Sequence, residues 1–250
     1  MTPALEAAGL AGFLVFCRIG GCLMLTAGFA SARVPVLVRL AIALSASLAL
    51  APLVWQPVHA ALQRFPQDAQ GLLILSELAA GAGIGLLCRL FLAGLQFGAA
   101  MAANAAGLAG MSGAPVDDSE PAPALVTFIS LSGTMLIFAA DLHLEVFRAL
   151  VESYATLPPA LAIDPAQILG RLEQQFSAVF ALSLRLCGPF ILYAVVVNLA
   201  IGLVNKFTPQ IPVYFALLGL VTAGGLLLLW AVAEDWLLLF TAEYAGWLRG

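Results

Sequence analysis

The chain has 250 residues, of which 62% are hydrophobic and only 10% charged, and its mean hydropathy is +1.04. A soluble domain carries about 25% charged residues, so this composition is that of a membrane protein. The net charge of −4 is small and the ten Lys and Arg are scattered without a basic run, which argues against nucleic acid as a partner.

Met1-Thr2-Pro3-Ala4-Leu5-Glu6 has no positive n-region, so the apolar stretch behind it reads as a retained helix, not a cleaved signal. A bilayer span needs about 20 apolar residues, and candidates lie at 7–29, 37–55, 72–100, 124–142, 176–204 and 213–233. The first holds Arg18 and ends at the break Ala30-Ser31-Ala32-Arg33-Val34-Pro35. The second ends at a break from Gln56 to Gln70 that contains Pro57 and Pro66. The third holds Glu77, the run AAGAGIG over 79–85, Arg89, Gly94 and Gly98. Continued to residue 110 as one helix it would be about 58 Å long, against a hydrocarbon core of about 30 Å. It is therefore expected to break near its glycines or to leave the bilayer.

Residues 98–113, GAAMAANAAGLAGMSG, are nearly all small, with Met101 and Met111 as flexible apolar fillers. They lead into the acidic loop APVDDSEPAP at 114–123 and suit a movable element or a plain connector. The fourth segment ends in Asp141-Leu142-His143-Leu144-Glu145, and LPPALAID follows at 157–164. Asp164-Pro165-Ala166-Gln167 reads as a helix start, with Asp as N-cap and Pro at the first helical position. The fifth segment carries Arg185 and a kink at Pro189. It stops at Asn205-Lys206-Phe207-Thr208-Pro209-Gln210-Ile211-Pro212, where two prolines end the helix and set a tight hairpin with Lys206 at its polar tip. After the sixth, Trp236, Phe240, Tyr244 and Trp247 share one helical face, the spacing of an interfacial aromatic belt.

Charged residues inside apolar segments are costly. Arg18, Glu77, Arg89, Asp141 and Arg185 are read either as a conduction path, or as ion pairs that hold helices in register, or as side chains that snorkel near a helix end. Glu77 and Arg89 are too far apart to pair along one helix, so their partners must come from other helices or subunits. Gly81 with Gly85, and Gly94 with Gly98, are four apart and mark faces of close helix packing. Asp141 and His143 point about 200° apart on a helix and cannot share an ion, and Asp141 with Glu145 makes only a weak site, so this stretch reads as a solvated helix end. Cys17, Cys22, Cys88 and Cys187 lie in apolar segments without a CxxC and read as small buried hydrophobes. No HExxH, Walker A loop or GxSxG triad pattern occurs, so neither a cofactor nor an enzyme is expected. Alternating segments would put Arg33, Arg39 and Lys206 on one side and Arg64, Arg148, Arg171 and Arg249 on the other, with no bias that fixes orientation.

Asn198-Leu-Ala-Ile-Gly202, Asn205-Lys206, Pro209-Gln210 and Val213-Tyr214-Phe215 together resemble the C-terminal signature of the FliR family, whose virulence type III secretion counterparts are the SctT proteins. Val34-Pro35 with Arg39 and Pro52 is similar to that family's first hairpin, Glu77 with Gly81 and Gly85 to its glycine-rich third helix, and Asp141, His143, Ser153 and Pro158 to the stretch after its acidic loop. Pro212 departs from the family, which commonly has an asparagine there.

The resemblance covers nearly the whole chain and implies an all-α fold: membrane-associated helical hairpins, about six long apolar helices, built to stack in a hetero-oligomeric export gate. It implies a single export-gate domain over 1–250, FliP-like and FliQ-like subunits and an FlhB-like switch protein as partners, and unfolded export substrates. The expected place is the bacterial inner membrane, at the flagellar basal body or the base of a secretion system. By the same resemblance Gly107, Gly110, Met111, Ser112 and Gly113 are plug candidates that close the pore. A stand-alone small-solute transporter is the alternative. It should show paired broken helices in both halves, and Pro189 has no match in the first half.

Overall fold

The computed structural model describes residues 3–26, 28–30, 34–66, 70–110, 123–159, 165–210 and 213–249, with the side chains of 3–5, 165–169, 171, 172 and 213 left aside. Among these residues the chain forms seven α-helices: α1 Pro3–Leu25, α2 Val36–Arg64, α3 Gln70–Ala105, α4 Ala124–Ala139, α5 Leu142–Thr156, α6 Pro165–Phe207 and α7 Val213–Arg249. Five of them, α1, α2, α3, α6 and α7, are long and apolar enough to cross a membrane, and α4 with α5 make a sixth when counted as one broken span.

Several helix ends differ from the sequence expectation. α2 runs through Pro52 and Pro57 and stops only at Phe65, whose extended backbone (φ −98°, ψ 132°) precedes Pro66. Apolar helices tolerate proline where neighbours satisfy the freed backbone groups, so the residue before Pro66 ends α2 and Pro57 does not. α3 is unbroken over 36 residues despite its glycines. The fourth segment does break: Asp141 takes φ 55°, a left-handed backbone that Asp adopts more readily than most residues, and α5 restarts at Leu142. α6 begins at Pro165, its expected cap Asp164 lying outside the described residues, and continues through Pro189 for 43 residues, about 64 Å.

The helices pack in two compact units. The first combines residues 1–90, 140–175 and 245–250. Its core is α1, with Ala11, Leu14, Val15, Ile19, Cys22 and Leu23 all buried. α2 packs on α1 as a hairpin. The first half of α3 lies parallel to α1, because Gly81 faces Arg18 and Gly85 faces Cys22. α5 offers Leu142, Val146, Leu150, Ser153 and Tyr154 as one buried stripe.

The second unit combines residues 91–139 and 176–244. Here the second half of α3 runs parallel to α6, with Gly94 against Val179 and Ser183, and antiparallel to α7, with Gly98 against Trp236. Trp236, Phe240 and Tyr244 are 3%, 0% and 0% exposed, so this stripe is core and not the interfacial belt that its spacing suggested. Phe190 meets Trp236 edge-on at 5.1 Å, Phe91 meets Tyr244 edge-on at 5.8 Å, and Phe240 stacks on Tyr244.

Candidate gate and helix-packing site

The charged centre of the first unit is Arg18 on α1. Its side chain is 1% exposed, and that of Glu77 on α3 is 0% exposed. The guanidinium donates through Nε to Glu77 Oε2 at 2.8 Å and through Nη2 to Glu77 Oε1 at 2.7 Å, a bidentate fork. Nη2 also donates to the Leu157 carbonyl at 2.9 Å and Nη1 to Ser153 Oγ at 3.0 Å. The Ser153 hydroxyl in turn donates to the Leu150 carbonyl at 2.6 Å. The Tyr154 ring lies 3.8 Å from the guanidinium carbon. Leu157 is the C-cap of α5, so the cation also meets the negative end of that helix. Burying an unpaired ion costs several kcal/mol, and here the charge and most of the donors are matched by two other helices, α3 and α5. Tyr154 and the Leu157 carbonyl carry no signal in the sequence beyond the helical spacing of the stripe they end.

Arg89 and Arg185 differ from the expectation of burial. Both are exposed on this chain, and Arg185 pairs with Glu243 of α7 at 2.8 Å with its side chain 62% exposed. Among the described residues neither pairs with a buried carboxylate, and a long side chain can reach outward where Arg18 cannot. Asp141 is exposed at the α4–α5 break. Cys17, Cys22, Cys88 and Cys187 are buried. Among the described residues no group of three His, Cys, Asp or Glu could hold a metal.

The glycines at packing positions are held by real contacts. A side chain at Gly81 would overlap the Arg18 carbonyl oxygen, and one at Gly85 the Cys22 carbonyl oxygen. Gly21 of α1 returns the fit, since a Cβ there would meet the Leu78 carbonyl at 2.9 Å. In the second unit a Cβ at Gly94 would meet Ser183 Oγ at 2.9 Å, and one at Gly98 would meet Leu186 Cβ at 3.0 Å.

Of the expected closing segment, Gly107 and Gly110 are described, while Met111, Ser112 and Gly113 lie outside the described residues. Gly107 has φ 71° and ends α3. Leu108 N–H donates to the Ala103 carbonyl at 2.8 Å and Gly107 N–H to the Asn104 carbonyl at 3.1 Å, the Schellman pattern that needs glycine at this position. The residues leading to it are firmly packed, with Ala99, Ala102 and Ala103 fully buried and Ala106 1% exposed. The small residues here seat a helix instead of loosening it. At the α6–α7 turn, Lys206, Pro209 and Gln210 are exposed, Thr208 caps back onto the Val204 carbonyl through both its N–H and its hydroxyl, and Pro212 lies outside the described residues.

Among the described residues, long apolar helices in hairpins, with a buried ion pair and glycine seats between them, define a helical membrane protein. The chain belongs to the bacterial export proteins, family 1, whose model matches residues 10–246. It is similar to the flagellar biosynthetic protein FliR of Caulobacter vibrioides, with 31% identity over 218 residues that make up 86% of this chain and 85% of that one.

Proposed function

We propose that this chain is a non-enzymatic subunit of the flagellar export gate, acting as one domain over its whole length. With FliP-like and FliQ-like subunits, beside an FlhB-like switch protein, it forms the inner-membrane channel that conducts unfolded export substrates. The observation that carries this reading is the family match along nearly the entire chain. The outer surface supports it. Leu37, Phe207, Phe215 and Trp230 are each at least 75% exposed on this chain, and α6 at about 64 Å is twice a hydrocarbon core. Lipid alone cannot cover helices of that length, whereas neighbouring subunits can. A lone small-solute transporter has no support from the family.

Native mass spectrometry in mild detergent tests the assembly. The chain expressed with its gate partners is expected as a defined hetero-complex. A well-behaved lone monomer that ignores them would overturn the reading. The closing role of the loop after α3 has its own test. Removing residues 109–113 while keeping the Gly107–Leu108 cap is expected to leave the complex assembled and raise its ion conductance well above background. Background conductance in a correctly assembled complex would take the closing role away from this loop.

A further inference from the structure

α7 carries two adjacent glycines, Gly224 and Gly225, that face different helices. Tyr193 of α6 donates its hydroxyl to the Val221 carbonyl at 2.6 Å, and a Cβ at Gly224 would meet that same hydroxyl oxygen at 2.6 Å. A side chain at Gly225 would overlap Ala106, the residue next to the cap of α3. By helix geometry the Val221 carbonyl is also the acceptor for the Gly225 N–H, so both contacts converge on one peptide turn. Next along α3, a Cβ on Gly107 would meet Leu218 Cδ1 at 3.0 Å, again on α7. Past this level the α6–α7 arm is bare: Val195, Val196, Leu199, Leu203 and Leu220 are all more than half exposed. One layer thus joins the arm to the packed helices and also holds the end of α3. Glycine inside a helix costs about 0.5–1 kcal/mol relative to alanine, and two in succession are explained here by two close approaches.

We infer that Gly224 and Gly225 are positioning residues for the root of the loop that starts at Leu108. Gly225 admits Ala106 against the α7 backbone, and Gly224 admits the Tyr193 hydroxyl that keeps α6 and α7 in register behind it. The inference rests on the closing role proposed for that loop. It predicts that displacing Ala106 at Gly225 releases the α3 cap and unseats the loop.

Hydrogen exchange by mass spectrometry on the assembled complex tests the seat, read on the peptide over residues 103–110. Gly225→Ala is expected to speed exchange there about tenfold. Adding Ala106→Gly, which removes the opposing methyl, is expected to return it toward wild type. Unchanged exchange in Gly225→Ala, or no rescue by the second substitution, overturns the seat. Ion conductance of the same complexes tests positioning and should rise in Gly225→Ala and fall again in the double variant. If removing 109–113 opens the complex but Gly225→Ala does not, positioning is overturned while the closing role stands. If neither conducts but the exchange pattern holds, the closing role fails and the seat stands. Should Gly225→Ala not assemble, Tyr193→Phe removes one oxygen only, and exchange over 218–225 is expected to rise about fivefold. No change there overturns the register role.

Discussion

Glu77→Ala is expected to cost about 3–5 kcal/mol and to leave most of the purified chain unfolded or aggregated in mild detergent. The native margin of a domain is about 5–15 kcal/mol, so a loss of this size is most of what holds it. Glu77 accepts two charge-assisted hydrogen bonds from Arg18, at 2.8 and 2.7 Å, in a pocket where both side chains are at most 1% exposed. Without the carboxylate the guanidinium keeps Ser153 Oγ and the Leu157 carbonyl, which are neutral, and remains a buried uncompensated charge. Chemical unfolding of the gate complex checks the size of the loss. Arg18→Met combined with Glu77→Leu removes both charges and is expected to recover most of it, because apolar replacements of a buried ion pair are close to neutral. A single variant as stable as wild type would mean that the pair does not hold α1, α3 and α5 together. Export by the stable double variant separates two roles: full export fits a purely structural pair, and lost export with an intact fold points to a part in conduction.

Gly81→Leu is expected to be as damaging, and Gly85→Leu nearly so. A side chain at either position overlaps a backbone carbonyl of α1, which cannot rotate away as a side chain would. The helices must separate, and membrane helices owe much of their association to such close contact. Even Gly81→Ala should cost about 1–3 kcal/mol. Glu77, Gly81 and Gly85 recur every four residues on one face of α3, so parting the helices at Gly81 also draws Arg18 off Glu77. The losses from Gly81→Ala and Glu77→Ala should therefore add to less than their sum. Assembly yield on size-exclusion chromatography and the unfolding midpoint of each variant measure this. Normal assembly of Gly81→Leu would remove close packing at this face as a requirement.

The surface pairs make a contrast. Arg148 with Glu152 at 2.9 Å and Arg249 with Glu145 at 3.3 Å lie at the solvent-facing surface of this chain, and removing either is expected to leave the unfolding midpoint almost unchanged.

The sequence by itself determined the membrane class, the apolar helices, the hairpin turn at Lys206–Pro209 and the glycine faces of α3. Each of these follows from composition, segment length or a period along one chain, and needs no knowledge of what lies opposite. It also carried the family, whose signature is spread over the whole length. Three things were decided only by the tertiary structure. Arg18, Arg89 and Arg185 look alike in sequence, each a cation in an apolar run, yet only Arg18 meets a buried carboxylate and a helix C-terminus; burial of charge depends on partners 59 and 139 residues away. Trp236, Phe240 and Tyr244 have the same spacing whether they face headgroups or a core, and it is α3 and α6 that make them core. Pro57, read as part of a break, instead continues a helix. Local signals state what a backbone prefers in isolation. Here the neighbouring helices decided which preferences were kept, because in an apolar surround every charge and every freed backbone group must find its partner inside the protein.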